Sequence, residues 1–114
     1  MYSDPATDDQ RIAYHADLLS QLAHPRRLQA CTLLLAGEED VNNLARRIGI
    51  SQPALSRHLT RLHLAGMVKF RRHAQFRYYS CDHPGVIEIL KVLTEIYDLD
   101  PIEPAAQTAA GLGD

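Results

Sequence analysis

Acidic residues are missing from Val41 through Ser80, although the 114-residue chain carries fourteen Asp and Glu. The same window holds eight of the twelve Lys and Arg: Arg46, Arg47, Arg57, Arg61, Lys69, Arg71, Arg72 and Arg77. A net charge of −2 therefore conceals a cationic middle between acidic ends. An ordinary solvated face mixes both signs, so a window of one sign speaks against that reading. It calls for a polyanion, and nucleic acid is the simplest candidate.

Cysteine is scarce as well. Cys31 and Cys81 stand fifty residues apart and do not make a disulfide framework. The opening MYSDPATDDQR is acidic and polar, unlike a secretory signal, so both thiols are expected reduced in a cytoplasmic protein. No apolar run approaches the roughly 20 residues that span a bilayer, so no membrane is expected. The chain has no G-x-S-x-G, no Gly-rich phosphate loop and no His/Cys metal spacing, and with no Trp it has no Trp-lined pocket. Asp82-His83 beside Cys81 resembles a nucleophile group only on paper, because adjacent residues at a strand end point in different directions. An enzyme is not expected. There are no internal repeats, and the length fits one domain with one modest core.

Helical periodicity organises most of what remains. Residues 1–8 read as a flexible N-terminus, 9–98 as the folded domain, and 99–114, rich in Ala, Pro and Gly, as a disordered tail. From Asp9 to Leu22, Ile12, Ala16, Leu19 and Leu22 recur at helical spacing. His24-Pro25 breaks that helix and opens a second, apolar one that Gly37 stops. Asp40 caps a short third helix, Val41 to Ile48, with Leu44 and Ile48 inward. Ser51 caps a fourth from Gln52 to Leu64, with Leu55, Leu59 and Leu62 as its buried stripe. Met67–Arg71 and Gln75–Ser80 read as two strands with Arg72-His73-Ala74 at the tip. Pro84 opens a last helix to about Tyr97 with an apolar stripe of Val86, Ile89, Leu90, Leu93 and Ile96.

Two short helices joined by Gly49-Ile50-Ser51 and followed by a basic hairpin form a helix-turn-helix with a wing. The expected fold is thus mainly α, about five helices plus a two-stranded antiparallel wing. In that arrangement the second helix of the pair lies in the DNA major groove. Its outward face carries Gln52, Ser56, Arg57, Thr60 and Arg61. Gln suits an adenine edge, Arg suits guanine, and Ser or Thr suits a base or a phosphate. Ser51 can offer backbone amides to a phosphate. Arg71, Arg72 and Gln75 in the hairpin are set to reach the neighbouring backbone or minor groove, with Arg46, Lys69 and Arg77 as further phosphate contacts. His58 reads either as a packed or capping residue or as a phosphate contact.

These stretches resemble a known family. HPRRL, SQPALSRHLTRLHLAGMV and RRHAQFRYY, within residues 18–97, resemble the ArsR/SmtB group of bacterial winged-helix repressors. The resemblance implies a homodimer built from the first and last helices and acting on an inverted-repeat operator in double-stranded DNA. The last helix agrees, being too apolar for a terminal surface element. Where family members carry a metal-binding CVC-type motif, this chain reads Asp40-Val41-Asn42, without thiolates. The family's second metal site falls on Asp82-His83-Pro84 with Glu95 and Asp98, where the histidine is displaced by one residue, about 100° around a helix. No metal or other cofactor is therefore expected. Some relatives sense oxidants through two cysteines. Cys31 lies one residue from the first such position, which holds Thr32, and Asp98 occupies the second. The alternative reading is a sensor of the same fold, responsive to thiol oxidation through Cys31 and Cys81, to a metal at an atypical site or to a small molecule. A winged helix that binds only protein is disfavoured by the acid-free face.

Overall fold

Four polar side chains set where helices begin. The computed structural model describes residues 5–97. Its elements are α1 (Pro5–Leu22), α2 (Pro25–Ala36), β1 (Glu39–Asp40), α3 (Val41–Ile48), α4 (Gln52–Leu64), β2 (Lys69–His73), β3 (Phe76–Ser80) and α5 (Pro84–Tyr97). His24 Nδ1 accepts from the Arg26 amide at 3.1 Å, and Asp40 Oδ1 from the Asn43 amide at 3.0 Å. Ser51 Oγ accepts from the Ala54 amide at 3.2 Å, and His83 Nδ1 from the Val86 amide at 3.2 Å. Each cap satisfies one amide that the first turn leaves orphaned. Gly49, left-handed at φ 89°, turns the chain from α3 toward α4.

The helix-turn-helix and its wing follow expectation, with three adjustments. First, α1 starts at Pro5 rather than Asp9. Second, the strands run later than the pattern suggested, because Met67 and Val68 drop into the core before pairing begins. His73 then pairs with Phe76, leaving Ala74-Gln75 as the turn, with Ala74 left-handed at φ 57°. Third, the wing is part of a three-stranded antiparallel sheet in the order β1-β3-β2, in which Glu39 pairs with Tyr79 and Asp40 with Tyr78. The proposed 99–114 tail lies outside the described residues.

The core collects Leu33 and Leu34 of α2, Leu44 and Ile48 of α3, and Leu55, Leu59 and Leu62 of α4. Tyr79, Val86 and Leu90 close it from the sheet and α5. The α1 stripe is divided between core and surface. Leu18 and Leu22 lean on the core, whereas Ile12, Ala16 and Leu19 are exposed. On α5, Val86 and Leu90 are buried, Ile89 and Leu93 are half-buried, and Val92 and Ile96 face out. A side chain at Gly85, at the start of α5, would meet Leu18 of α1.

Candidate nucleic-acid interface

Burial of Leu55, Leu59 and Leu62 against α2 and α3 fixes which side of α4 is free. Pro53, Arg57, Thr60 and Leu64 form the exposed stripe opposite, flanked by exposed Gln52 and Arg61. Gln52 Nε2 donates to Ser56 Oγ at 2.7 Å, which holds both side chains on the wing side of the helix. There they line a groove of about 130 Å³ with Asn42, Gln75, Phe76 and Arg77. The structure thus brings Gln52, Ser56 and Gln75 together. Asn42, Phe76 and the groove-facing position of Arg77 were not singled out from the sequence as part of such a groove. The signal for Asn42 was its place as the second residue of α3, just after the Asp40 cap. Ser51 is committed to capping α4.

The cationic window is less free in space than along the chain. Strand β1 and its approach bring acids back against it. Arg71 makes a two-pronged pair with Glu38 at 2.8 and 2.8 Å, and Arg47 pairs with Glu39 at 2.6 Å. That bond from Arg71 holds the Glu38 carboxyl below its usual range. Lys69 pairs with Asp82 at 2.7 Å. Arg77 lies 4.5 Å over the Phe70 ring, and Arg46 donates to the Asn43 side chain. Arg57, Arg61 and Arg72 are exposed and make no ion pair among the described residues.

His58 stands apart from the other candidates. It turns toward α2, where its Nδ1 accepts from Arg27 Nε at 3.1 Å and its ring packs 4.4 Å from that of His24. Of the two readings open from sequence, the geometry is that of the packed residue.

Comparison with known proteins agrees with this geometry. Residues 24–69 match the model of the bacterial regulatory proteins of the arsR family. The nodulation protein NolR of Rhizobium meliloti is 42% identical over 98 residues, 84% of this chain and 79% of that protein. The chain belongs to the ArsR family. The transcriptional activator HlyU of Vibrio cholerae is 38% identical over 70% of this chain and 74% of its own. The crystal structure of NolR from Sinorhizobium fredii superposes with a TM-score of 0.77 at 38% identity, covering 85% of this chain and 97% of that one. The protein is therefore a winged-helix transcriptional regulator with a DNA-binding helix-turn-helix.

At the places where ArsR proteins hold metals, this member uses its residues structurally. Asp40 caps α3, Asp82 pairs with Lys69, and His83 caps α5. Asp98 lies outside the described residues. Among the described residues no cluster of three His, Cys, Asp or Glu is placed to hold a metal, and no helix is long and apolar enough to cross a membrane.

Proposed function

We propose that this ArsR protein is a sequence-specific repressor that binds double-stranded DNA in the cytoplasm as a homodimer on an inverted repeat. The observation that carries the reading is the free side of α4, where Arg57 and Arg61 stand unpaired beside the Gln52–Ser56 couple. Gln52, Ser56 and Arg57 face base edges, with Thr60 and Arg61 alongside. Arg72, Ser51 and Gln75 face the phosphate backbone, and Arg71 joins them when it leaves Glu38. Exposed apolar side chains on α1 and on α5 support the dimer. Ile12 and Ile96 are each 66% exposed there, and Leu19 and Val92 join them. The sign is supported by a relative that is 35% identical over 78% of this chain, the biofilm growth-associated repressor of Xylella fastidiosa. Anisotropy of a labelled duplex from upstream of the gene, with random duplex as competitor, tests this. A preference of at least about a hundredfold is expected. Equal affinity for both duplexes overturns sequence specificity, and activation in a promoter assay overturns the sign alone.

A second reading rests on a separate observation. Cys31 of α2 and Cys81, just before α5, are both buried and free, and the Cys81 thiol donates to the Met67 carbonyl at 3.4 Å. The neighbouring Cys81 thiol, with burial, pushes Cys31 well up, while the neighbouring Cys31 draws Cys81 down. Cys81 is thus the readier thiolate, and in this reading Cys31 is its disulfide partner. In this reading an oxidant joins α2 to the start of α5 and alters DNA affinity. Peroxide treatment followed by intact mass and anisotropy decides it: loss of two hydrogens with unchanged affinity removes the sensor role.

A further inference from the structure

One guanidinium ties three helices together. Arg27 Nη1 donates to the backbone carbonyl and to Oε1 of Gln21, at 3.3 and 2.9 Å, at the end of α1. Its Nε donates to His58 Nδ1 in the middle of α4, and Arg27 itself sits in the first turn of α2. Arginine offers donors only, so this bond requires a lone pair on Nδ1 and therefore a neutral imidazole. A proton on His58 sets donor against donor. It also adds charge to a crowded cationic neighbourhood: His24 and Arg27 from the start of α2, Arg57 and Arg61 from α4 itself. From α1 come neutral Gln21 and, across a hollow beside Arg61, Asp17.

We propose that His58 is a positioning residue: neutral, it locks the recognition helix to α2 through Arg27, and protonated, it releases that helix and weakens DNA binding. The proposal rests on the DNA-binding reading above. Burial first, then His24, Arg27, Arg57 and Arg61, hold His58 below its ordinary value of 6.5. For a depressed pKa the sign is fixed. The lock is complete above pH 6.5 and is lost as pH falls through the lower folded-state value. A His58 that touched a DNA phosphate shows the opposite sign, because the phosphate favours imidazolium and affinity then rises as pH falls.

The test uses the full chain. The His58 ring is titrated by NMR in the free protein, wild type and Arg27→Met. Anisotropy with the upstream duplex is then measured at pH 7.5 and 5.5 for wild type, His58→Gln and His58→Leu. Glutamine keeps an acceptor for Arg27 and does not titrate; leucine offers neither. His58 is expected to titrate below ordinary histidine and to move up in Arg27→Met. Wild type should lose affinity at pH 5.5 relative to His58→Gln, by up to about tenfold, because that pH lies one unit below the ordinary value. His58→Leu should bind weakly at both. Identical pH profiles for wild type and His58→Gln overturn the proposal, as does a His58 titration at or above the ordinary value. Failure of every variant to bind DNA overturns the functional reading and not the lock, which the ring titration reads without DNA.

Discussion

Arg57 and Arg72 are both exposed cations without an ion-pair partner among the described residues, yet their removal should fail in different ways. Arg57 stands on the outward stripe of α4 and is the proposed reader of a guanine edge. Arg57→Ala is expected to cost roughly 1–3 kcal/mol on the preferred duplex and little on random DNA. Arg72 lies on β2 near the wing turn, so Arg72→Ala should weaken both duplexes alike. Competition anisotropy measures the ratio, and equal loss on both duplexes for Arg57→Ala removes it from the base-reading set. Neither change should alter stability by more than about 0.5 kcal/mol, since no core contact is lost. Leu59 behaves otherwise. It is wholly buried in α4, and Leu59→Ala should cost about 2–5 kcal/mol in urea unfolding.

Among the elements, α4 was legible in advance because everything that defines it is local. The Ser51 cap, Pro53 in the first turn and leucines spaced 55, 59, 62 all act within a few residues. Strand β1 was not legible. Two residues, Glu39 and Asp40, carry no period, and only pairing with Tyr79 and Tyr78 makes them a strand. That pairing also changes the electrostatics, because it brings Glu38 to Arg71 and Glu39 to Arg47 across gaps in sequence that no local pattern records. His58 was ambiguous for the same reason, since its partner Arg27 lies 31 residues away. A prediction belongs to this scale. The Glu38–Arg71 pair is exposed, so Glu38→Gln should leave stability nearly unchanged. It frees one cation per protomer, however, and that cation can join the phosphate contacts. The slope of log affinity against log salt should steepen by about 0.9 per protomer. An unchanged slope means Arg71 does not reach the DNA.

At the scale of the whole molecule, the proposed dimer would couple the exposed apolar residues of α1 and α5 to the cationic stripe of α4. Arg46, Arg61, Arg72 and Arg77 carry no acidic partner among the described residues and give four phosphate-competent cations per protomer. Two protomers on one operator then predict a salt slope near −7, at about −0.9 per contact. Ile96→Asp tests the connection. Ile96 is exposed within the single chain, so the substitution should leave the protomer folded, as circular dichroism will report. Buried between protomers it places a carboxylate against Ile12, Leu19 or Val92 without a counter-charge, which disfavours association strongly. Sedimentation should then give a monomer, and the salt slope should fall to about −4, because one half-site remains. A variant that stays dimeric shows that the dimer uses another face. A monomer that keeps the full slope and affinity shows instead that a single protomer makes all the contacts, and the inverted-repeat reading fails with it.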